Sequence, residues 1–482
     1  MFFNSLNFAL FLPIVFFLYW FATKGNFKVQ NLLLLVASYC FYACWDWRFL
    51  FLLMFSTFLD YYTGIKISNS TTINAKRVWL WISVSVNLGF LGVFKYYNFF
   101  ADSFTAALSH VGIDVSLGSL QIILPVGISF YTFHGLSYVI DIYKSRIKPE
   151  LNFVSYAVFV SFFPLLVAGP IERATHLLPQ IITKRTFNYS QAVDGLRQIL
   201  WGLFKKVVIA DNCAQFANTI FNNSDAYSGS TLVLGALFFT FQIYGDFSGY
   251  SDIALGSARL FGIELLRNFA FPYFSRDIAE FWRRWHISLS SWFRDYVYYP
   301  LGGSRGSLSL KIRNTFIIFL LSGFWHGANW TFVVWGALNA FYFLPLLLTN
   351  NNRNNIEIVA KGKMFPNYKE LFQMLITFSI TVFAWIFFRA ENIGHAFQIV
   401  SDIFSITLFS VPDFRGISDS IPIIILVVFF IAIEWIGREE HFAIATLGLG
   451  WKPIYRHSFY YLILFLMLWF TGKEEQFIYF QF

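Results

Sequence analysis

The sequence predicts an all-α protein that crosses a membrane many times. Of its 482 residues, 57% are hydrophobic and only 13% are charged, whereas about a quarter of the residues in a typical soluble domain are charged. Its aromatic content of 22% excludes disordered and collagen-like classes. Because a lipid core offers no water to backbone groups, such a chain is expected to cross the membrane as helices.

Apolar segments long enough to span predict the transmembrane helices, since about 20 helical residues cross a hydrocarbon core of about 30 Å. The first segment lacks a basic leader region, so we interpret it as the first transmembrane helix rather than a cleaved signal. About eleven spans are predicted, at residues 7–23, 31–45, 48–65, 78–100, 152–169, 231–246, 314–330, 331–349, 371–389, 420–437 and 455–471.

Four further apolar stretches are interrupted by Gly, Pro or charge and are predicted to be re-entrant or interfacial: 120–141, 195–211, 247–262 and 277–301. Irregular backbone at membrane depth is tolerated where protein or a water-filled cavity surrounds it, so these stretches indicate an enclosed cavity. The alternative is ordinary kinks and loops in a plain bundle. With no internal repeat and no soluble insertion, the chain is predicted to be one membrane domain over 1–482, with a catalytic core near 120–345.

Basic residues are concentrated in one stretch. The formal net charge is +8, and residues 259–313 carry nine Lys and Arg against four Asp and Glu. A nucleic-acid partner is excluded because no water-soluble basic face is present, whereas the positive-inside rule places this stretch in the cytoplasm. The same charge could also attract an anionic ligand such as a phosphorylated acyl donor.

The candidate catalytic residue is His326, the only His, Lys, Arg, Asp or Glu between Asn314 and Leu348. Twelve residues beyond Asn314, it is expected about 18 Å along a helix, near the middle of the membrane. Ionisable groups at that depth are functional candidates, and an unperturbed pKa of about 6.5 suits proton abstraction. The alternative is a neutral histidine that hydrogen-bonds to a neighbouring helix in a glycine-rich packing face.

The residues around this histidine are the first candidates for substrate contacts. Trp325 and Trp330 are predicted to bracket its ring, and Asn329 lies one turn away. Gly323 and Gly327 permit close backbone approach. No metal site is predicted, because one histidine without nearby carboxylates or thiolates is a poor ligand set.

Two charged clusters could also serve the site. Arg283 and Arg284, with His286, alternate with tryptophans and could bind a phosphate, or could instead anchor an interfacial helix. Asp246 and Asp252 lie in an apolar, glycine-rich stretch. They could orient a catalytic histidine, but are more simply interpreted as structural groups that cap broken helices and pair with arginines.

Several common activities lack their usual motifs. The sequence contains no GxSxG nucleophile elbow, no GxGxxG and no P-loop, so hydrolase, kinase and dehydrogenase classes are disfavoured. A multi-span transporter fits the composition, although the corresponding halves found in many transporters are not visible. A non-catalytic membrane scaffold is a further alternative, in which His326 would be dispensable.

Six segments, in order, resemble the membrane-bound O-acyltransferases, and specifically their alginate O-acetyltransferase branch. They are PVGISFYTFHGLSYVIDIYK (125–144), FFPLLVAGPIER (162–173), YGDFSGYSDIALG (244–256), RDIAEFWRRWHISLSSWFRDYVYYPLGG (276–303), SGFWHGANWTFVVWGALN (322–339) and FIYFQF (477–482). In that family the histidine of the WHG motif is the presumed catalytic residue, which corresponds to His326. Some members carry a second histidine where this chain has Asn339, which could orient a substrate but could not act as a general base.

The resemblance implies a ring of helices around a central funnel that leads to His326 from both faces. It further implies a bacterial inner-membrane enzyme with no bound cofactor, whose acetyl donor, acetyl-CoA, approaches from the cytoplasm near Arg283, Arg284 and His286. The acceptor would be a cell-surface polysaccharide, or an extracytoplasmic partner protein that acetylates it. D-alanyl or other acyl transfer to a cell-envelope polymer, as in a related branch, is the alternative within the family.

Overall fold

The computed structural model describes residues 1–115, 117–121, 123–167, 169–471, 475, 477 and 478. Within those residues all regular elements are helical. The α-helices are α1 Leu6–Phe17, α2 Phe27–Ala43, α3 Trp47–Asn69, α4 Ile73–Leu91, α5 Tyr97–His110, α6 Ile128–Tyr143, α7 Phe153–Ser161, α8 Phe163–Leu166, α9 Ala174–Ile181, α10 Tyr189–Phe204, α11 Asp211–Phe221, α12 Gly229–Leu260, α13 Ile278–Arg284, α14 Ile287–Phe293, α15 Leu308–His326, α16 Trp330–Leu348, α17 Tyr368–Arg389, α18 Ile393–Ile403, α19 Ile417–Ile436 and α20 Pro453–Trp469.

Shorter turns extend or join these helices. Among the residues that the structure describes, four of these turns are π-helical, Leu18–Ala22, Gly92–Tyr96, Lys205–Ala210 and Arg294–Tyr298, and three are 3₁₀ turns, Ser224–Ala226, Pro272–Phe274 and Ile406–Phe409. Many helices begin at a side-chain cap, as the high propensity of Asn and Thr for that position predicts. Asn367, for example, accepts from the Glu370 N–H at 2.9 Å, and the Glu370 carboxylate accepts from the Asn367 N–H at 3.1 Å, which completes a capping box.

Seven of the described helices are long and apolar enough to cross a membrane: Trp47–Asn69, Ile73–His110, Gly229–Leu260, Leu308–His326, Trp330–Leu348, Tyr368–Arg389 and Ile417–Ile436. Two shorter apolar helices, Leu6–Ala22 and Phe27–Ala43, coincide with the first two predicted spans. The polytopic, all-helical class is therefore confirmed, but the count of eleven is not. The ring of helices around a funnel stays a prediction.

Two predicted segments have a different backbone from the one expected. The span predicted at 152–169 is broken at Phe162, between α7 and α8, where Pro164 occupies the first turn of the second helix. The interruption predicted at 247–262 is absent, because α12 continues to Leu260. The helix continues through Gly249 and Gly256, which pack against the backbone of α10.

The chain divides into two compact units, residues 1–192 with 257–266, and residues 193–256 with 267–482. In the first unit α3 packs against α4 and α6 around a buried carboxylate. Asp60 accepts hydrogen bonds from Ser83 at 2.6 Å and from Asn87 at 2.8 Å. A Cβ added at Gly135 of α6 would overlap Asp60 Oδ2, so the absence of a side chain there makes room for the carboxylate.

The second unit contains the helices that hold the candidate site. α10 crosses α12 at Gly202 and Gly249, and a Cβ at either glycine would lie 2.6–2.7 Å from the carbonyl oxygen of the other. α15 and α16 form a close antiparallel pair, in which Gly323 faces the Phe332 carbonyl and Gly336 faces that of Phe319. The glycines therefore set how closely these helices approach.

Candidate active site

His326 is the last residue of α15, at the sharp connection to α16. This differs from the expected position within a longer helix, because α15 begins at Leu308 and the chain turns immediately after the histidine. Asn329 caps α16 by accepting from the Thr331 N–H at 3.0 Å, and its amide donates to the Glu391 carbonyl at 2.8 Å. These two hydrogen bonds fix Asn329, at the α16 end of the connection, and His326 at the other end is 3% exposed.

Aromatic rings surround the imidazole of His326. The ring centroids of Trp325, Trp335 and Phe388 lie 5.0, 5.2 and 5.4 Å from it. Trp325 was predicted from the sequence, whereas Trp335 and Phe388 were missed. Trp330, the other predicted bracket, is half-exposed. We refer to Trp325, Trp335, Trp385 and Phe388 as the aromatic box.

Trp385 completes this box by stacking on Trp335 at 5.7 Å. Asn339 lies one turn beyond Trp335, and its side-chain amide donates to the Trp335 carbonyl at 2.8 Å. The predicted Asn339 is thus buried and holds the helix turn that carries a wall of the box.

His286 lies beside His326, with 6.3 Å between ring centroids. The sequence grouped it with the neighbouring arginines, but its side chain is buried and contacts Phe247 at 4.6 Å and Trp325 at 5.8 Å. Its φ of 44° lies in the left-handed region, which is uncommon for a residue with a side chain, and strained backbone of this kind clusters at functional sites. The next residue anchors this turn, since the Ile287 N–H donates to the Asn268 carbonyl at 2.9 Å.

A cavity of about 560 Å³ lies next to the aromatic box and carries arginines among its lining residues. Arg283, Arg294 and Arg353 line it, together with apolar side chains and Ser322, which lies one turn before the histidine in α15. Trp282 forms part of the inner wall and contacts Trp335 at 5.6 Å. The cavity is therefore separated from the box by one layer of aromatic rings.

The two predicted phosphate-binding arginines have different surroundings. Arg283 donates to the carbonyls of Asn352 at 2.9 Å and Asn355 at 2.8 Å and lines the cavity. Arg284 instead pairs with Glu280 at 2.8 Å and donates to the Ala270 carbonyl at 3.2 Å. Arg283 is thus placed to meet a ligand in the cavity, and Arg284 stabilises the short helix α13.

The two aspartates pair with lysines, not with the predicted arginines. Lys206 contacts Asp246 at 2.8 Å and Asp211 at 2.7 Å, while Lys205 contacts Asp252 at 2.5 Å. Both aspartates lie inside α12, so they do not cap broken helices as expected. The signal that identifies their partners is the Lys-Lys pair within the apolar sequence WGLFKKVVIA, which forms a π-helical turn.

The start of the last resembling segment also lies near these residues. The Ile478 N–H donates to Asp246 Oδ2 at 2.7 Å, and the Phe477 ring is 6.1 Å from Phe247. Residues 479–482 of that segment, like residue 168 of an earlier one, lie outside the described residues. Among the residues described, no group of three or more His, Cys, Asp or Glu could hold a metal ion.

Together these features describe a buried histidine in an aromatic site beside a cavity with arginines. A sequence profile of the membrane-bound O-acyltransferase (MBOAT) family matches residues 144–388, a range that includes both histidines. The chain belongs to this family and is a membrane O-acyltransferase.

Individual relatives extend this similarity over most of the chain. The probable alginate O-acetylase AlgI of Azotobacter vinelandii is 38% identical over 90% of this chain and 84% of its own. The peptidoglycan O-acetyltransferase of Helicobacter pylori is 37% identical over 81% of this chain and 77% of its own. The teichoic acid D-alanyltransferase of Bacillus subtilis is 26% identical over 56% of this chain and 70% of its own.

Proposed function

We propose that this protein is a bacterial inner-membrane O-acetyltransferase that moves an acetyl group from acetyl-CoA to a hydroxyl of a cell-surface polysaccharide. The acceptor receives it directly or through an extracytoplasmic partner protein. The observation that carries the proposal is His326, buried in the aromatic box beside the arginine-lined cavity. The relatives named for alginate and peptidoglycan O-acetylation favour an acetyl group, and the lower similarity to a D-alanyltransferase disfavours D-alanine.

The cavity suits the donor in size and charge. Arg283, Arg294 and Arg353 line it and provide planar, charged donors for the phosphates of coenzyme A. The apolar part of the lining, which includes Phe319 and Trp282, suits the pantetheine arm. A thioester carried along this cavity would approach the aromatic box on the side of Trp335.

His326 acts as the general base in this proposal. Its imidazole removes the proton from the acceptor hydroxyl as the oxygen attacks the thioester carbonyl. The tetrahedral intermediate then expels the coenzyme A thiolate, which takes the proton from the His326 imidazolium and leaves as the thiol, so that the imidazole is neutral again. The indole N–H of Trp325 or the Asn339 amide stabilises the oxyanion, while the apolar surroundings strengthen these hydrogen bonds.

An alternative order of bond formation uses the same residue. The imidazole attacks the thioester first, so that an acetyl-histidine forms and the coenzyme A thiol departs. The acceptor hydroxyl then attacks that acetyl group and regenerates the free imidazole. His286, with its ring 6.3 Å away, is near enough to take part in proton transfer through an intervening group.

Acetyl transfer by the purified protein tests this function. Radiolabelled acetyl-CoA is supplied to wild type, His326→Ala and the exposed-loop control His441→Ala in detergent, with polysaccharides and extracytoplasmic acetyltransferases added one at a time. We expect label on an acceptor with wild type and the control but not with His326→Ala. Equal transfer by His326→Ala would contradict the assignment of the base. In a parallel assay with a radiolabelled D-alanyl donor, label that reaches the acceptor from that donor alone would contradict the acetyl group.

A further inference from the structure

A second cavity, away from the arginine-lined one, forms an apolar groove between α17 and α19. Its volume is about 310 Å³, and the 3₁₀ turn Pro272–Phe274 contributes to its floor. α17 contributes Leu371, Leu375 and Phe378, which are spaced three and four residues apart and so share one face of the helix. Two walls of the groove therefore belong to helices that are long and apolar enough to cross a membrane.

The polar groups in its wall are satisfied by the protein. The Glu434 carboxylate accepts from Tyr244 Oη at 2.6 Å and from the Trp201 indole N–H at 3.1 Å. Tyr273 Oη donates to the Thr240 carbonyl at 2.7 Å. The remaining lining side chains are Phe, Leu, Ile and Met, so the surface offered to an occupant is almost entirely carbon.

The groove is open at the surface of α17. Leu371 is 43% exposed and Leu375 is 56% exposed, on a helix that is long and apolar enough to cross a membrane. α19, a second helix of that kind, forms the opposite wall. Apolar cavities of this kind stay dry and take up apolar molecules, because a water molecule inside would lack hydrogen-bond partners. An empty groove would also forfeit the dispersion contacts of its walls.

We propose that this groove is a binding site for one alkyl chain of a membrane phospholipid. The surrounding bilayer supplies that hydrocarbon at high local concentration, and the chain lies against Leu375 on one side and Ile431 on the other. The site goes beyond the proposed acetyl transfer and does not depend on it.

An alkyl chain in the groove would pack against a layer of aromatic residues that in turn contacts the aromatic box. Tyr244 and Tyr273, in the wall, contact Trp285 at 6.0 and 5.9 Å. Trp285 packs on Trp385 of the aromatic box at 5.1 Å. The alkyl chain therefore fills the outer side of an aromatic layer whose inner side packs against the box around the active histidine.

Photo-cross-linking tests the site. Wild-type protein is placed in phosphatidylcholine nanodiscs that contain phosphatidylcholine with a diazirine in the middle of one acyl chain, and labelled peptides are mapped by mass spectrometry. We expect Met374 and Ile431, which line the groove, to be labelled about tenfold more than Phe372 and Ile376, which are exposed on α17 outside the groove. A tenfold ratio corresponds to a preference for the site of about 1.4 kcal/mol. Uniform labelling of these four residues would overturn the proposal.

A pair of matched variants and a second measurement test the same site. Met374→Trp fills the groove and should abolish the labelling of Ile431, whereas Phe372→Trp adds the same ring on the exposed side of α17 and should preserve it. Native mass spectrometry of wild type should show one retained phospholipid even if Met374→Trp folds poorly. Labelling of Ile431 that persists in a folded Met374→Trp variant would overturn the proposal. So would wild-type protein that retains no phospholipid. Labelling by a free diazirine fatty acid but not by the diazirine phospholipid would overturn the assignment to a phospholipid chain.

Discussion

At the scale of single residues, the candidate base is enclosed by aromatic rings and has a second buried histidine beside it. His326 could be selected as a candidate because it is the one His, Lys, Arg, Asp or Glu in a long apolar stretch. His286 was grouped with the arginines that flank it, and only the left-handed turn between α13 and α14 places it beside His326. Trp335 and Phe388 could not be selected among 104 aromatic residues, because composition does not say which rings meet.

The pairing of Lys206 with two aspartates gives a testable prediction about stability. Lys206→Met removes the cation between Asp211 and Asp246, and an uncompensated buried pair of carboxylates costs about 3–5 kcal/mol. We expect a clear fall in the midpoint of thermal unfolding in detergent. The control Lys361→Met removes an exposed pair with Glu357, worth at most about 1 kcal/mol. Equal effects of the two substitutions would argue against a structural role for the buried network.

At the scale of helices, the positions of long apolar segments were predictable but their breaks were not. The boundary between the spans predicted at 314–330 and 331–349 lies close to the connection in the structure, which is formed by residues 327–329. Gly and Asp within α12 suggested an interruption, yet the helix continues because its glycines meet α10 and its aspartates meet lysines. Partners on other helices therefore decide whether such residues break a helix, and a single sequence does not reveal them.

The closeness of α15 and α16 gives a prediction at this scale. Gly323→Ala places a methyl group onto the Phe332 carbonyl, where backbone cannot move aside cheaply. The helices should separate, with reduced yield of folded protein and reduced acetyl transfer. Gly89→Ala in α4, where a Cβ meets nothing within 4 Å, should be neutral or stabilising by up to about 1 kcal/mol. Size-exclusion profiles and unfolding midpoints compare the two, and an unaffected Gly323→Ala would refute the close approach.

Glu172, just before the short helix α9, binds both the loop that follows α12 and His176 of α9, and its pairing with His176 depends on pH. His176 Nδ1 lies 2.8 Å from the Glu172 carboxylate, which also accepts from the Leu266 N–H at 2.6 Å. The hydrogen bond to Glu172 raises the pKa of His176 above 6.5, and Glu264 acts in the same direction. Because the folded state holds the proton more tightly, this stabilisation is full below about pH 6.5 and is lost as the pH rises through the raised pKa.

His176→Gln should therefore lower the unfolding midpoint more at pH 6 than at pH 9. The difference should stay below about 1 kcal/mol, because the imidazole is partly exposed to solvent. Midpoints measured at several pH values for both proteins check this. A difference that grows with pH would mean that the histidine is not charged in the folded protein.

At the scale of the whole molecule, composition alone predicted a polytopic helical membrane protein, whereas the ordered motifs were needed for the enzyme class. Charge distribution predicts its orientation. The N-terminus of α17 lies beside the arginine-rich stretch, because Glu370 pairs with Arg276 at 3.4 Å. The C-terminus of α17, at the opposite end of this helix, leads into α18. The positive-inside rule then places Tyr368 in the cytoplasm and Ile406 outside.

Cysteine accessibility tests this orientation. In a background with Cys40 and Cys44 replaced by serine, Tyr368→Cys and Ile406→Cys introduce single exposed thiols, because Cys213 is buried. A membrane-impermeant maleimide added to intact cells should label Ile406→Cys and label Tyr368→Cys only after the membrane is opened. The reverse pattern would place the arginine-lined cavity outside and exclude acetyl-CoA as its ligand.

In the proposed function, His326 performs the chemistry while the arginine-lined cavity binds the donor. Donor affinity and acetyl transfer measured together separate these roles, with a non-transferable thioether analogue of acetyl-CoA as the binding probe. His326→Gln should bind the analogue within a few-fold of wild type but transfer acetyl about 10²–10⁴-fold more slowly. Arg283→Ala should weaken binding about ten- to a hundredfold, as the loss of one charged hydrogen bond predicts. Normal transfer by His326→Gln, or unchanged binding by Arg283→Ala, would contradict the account.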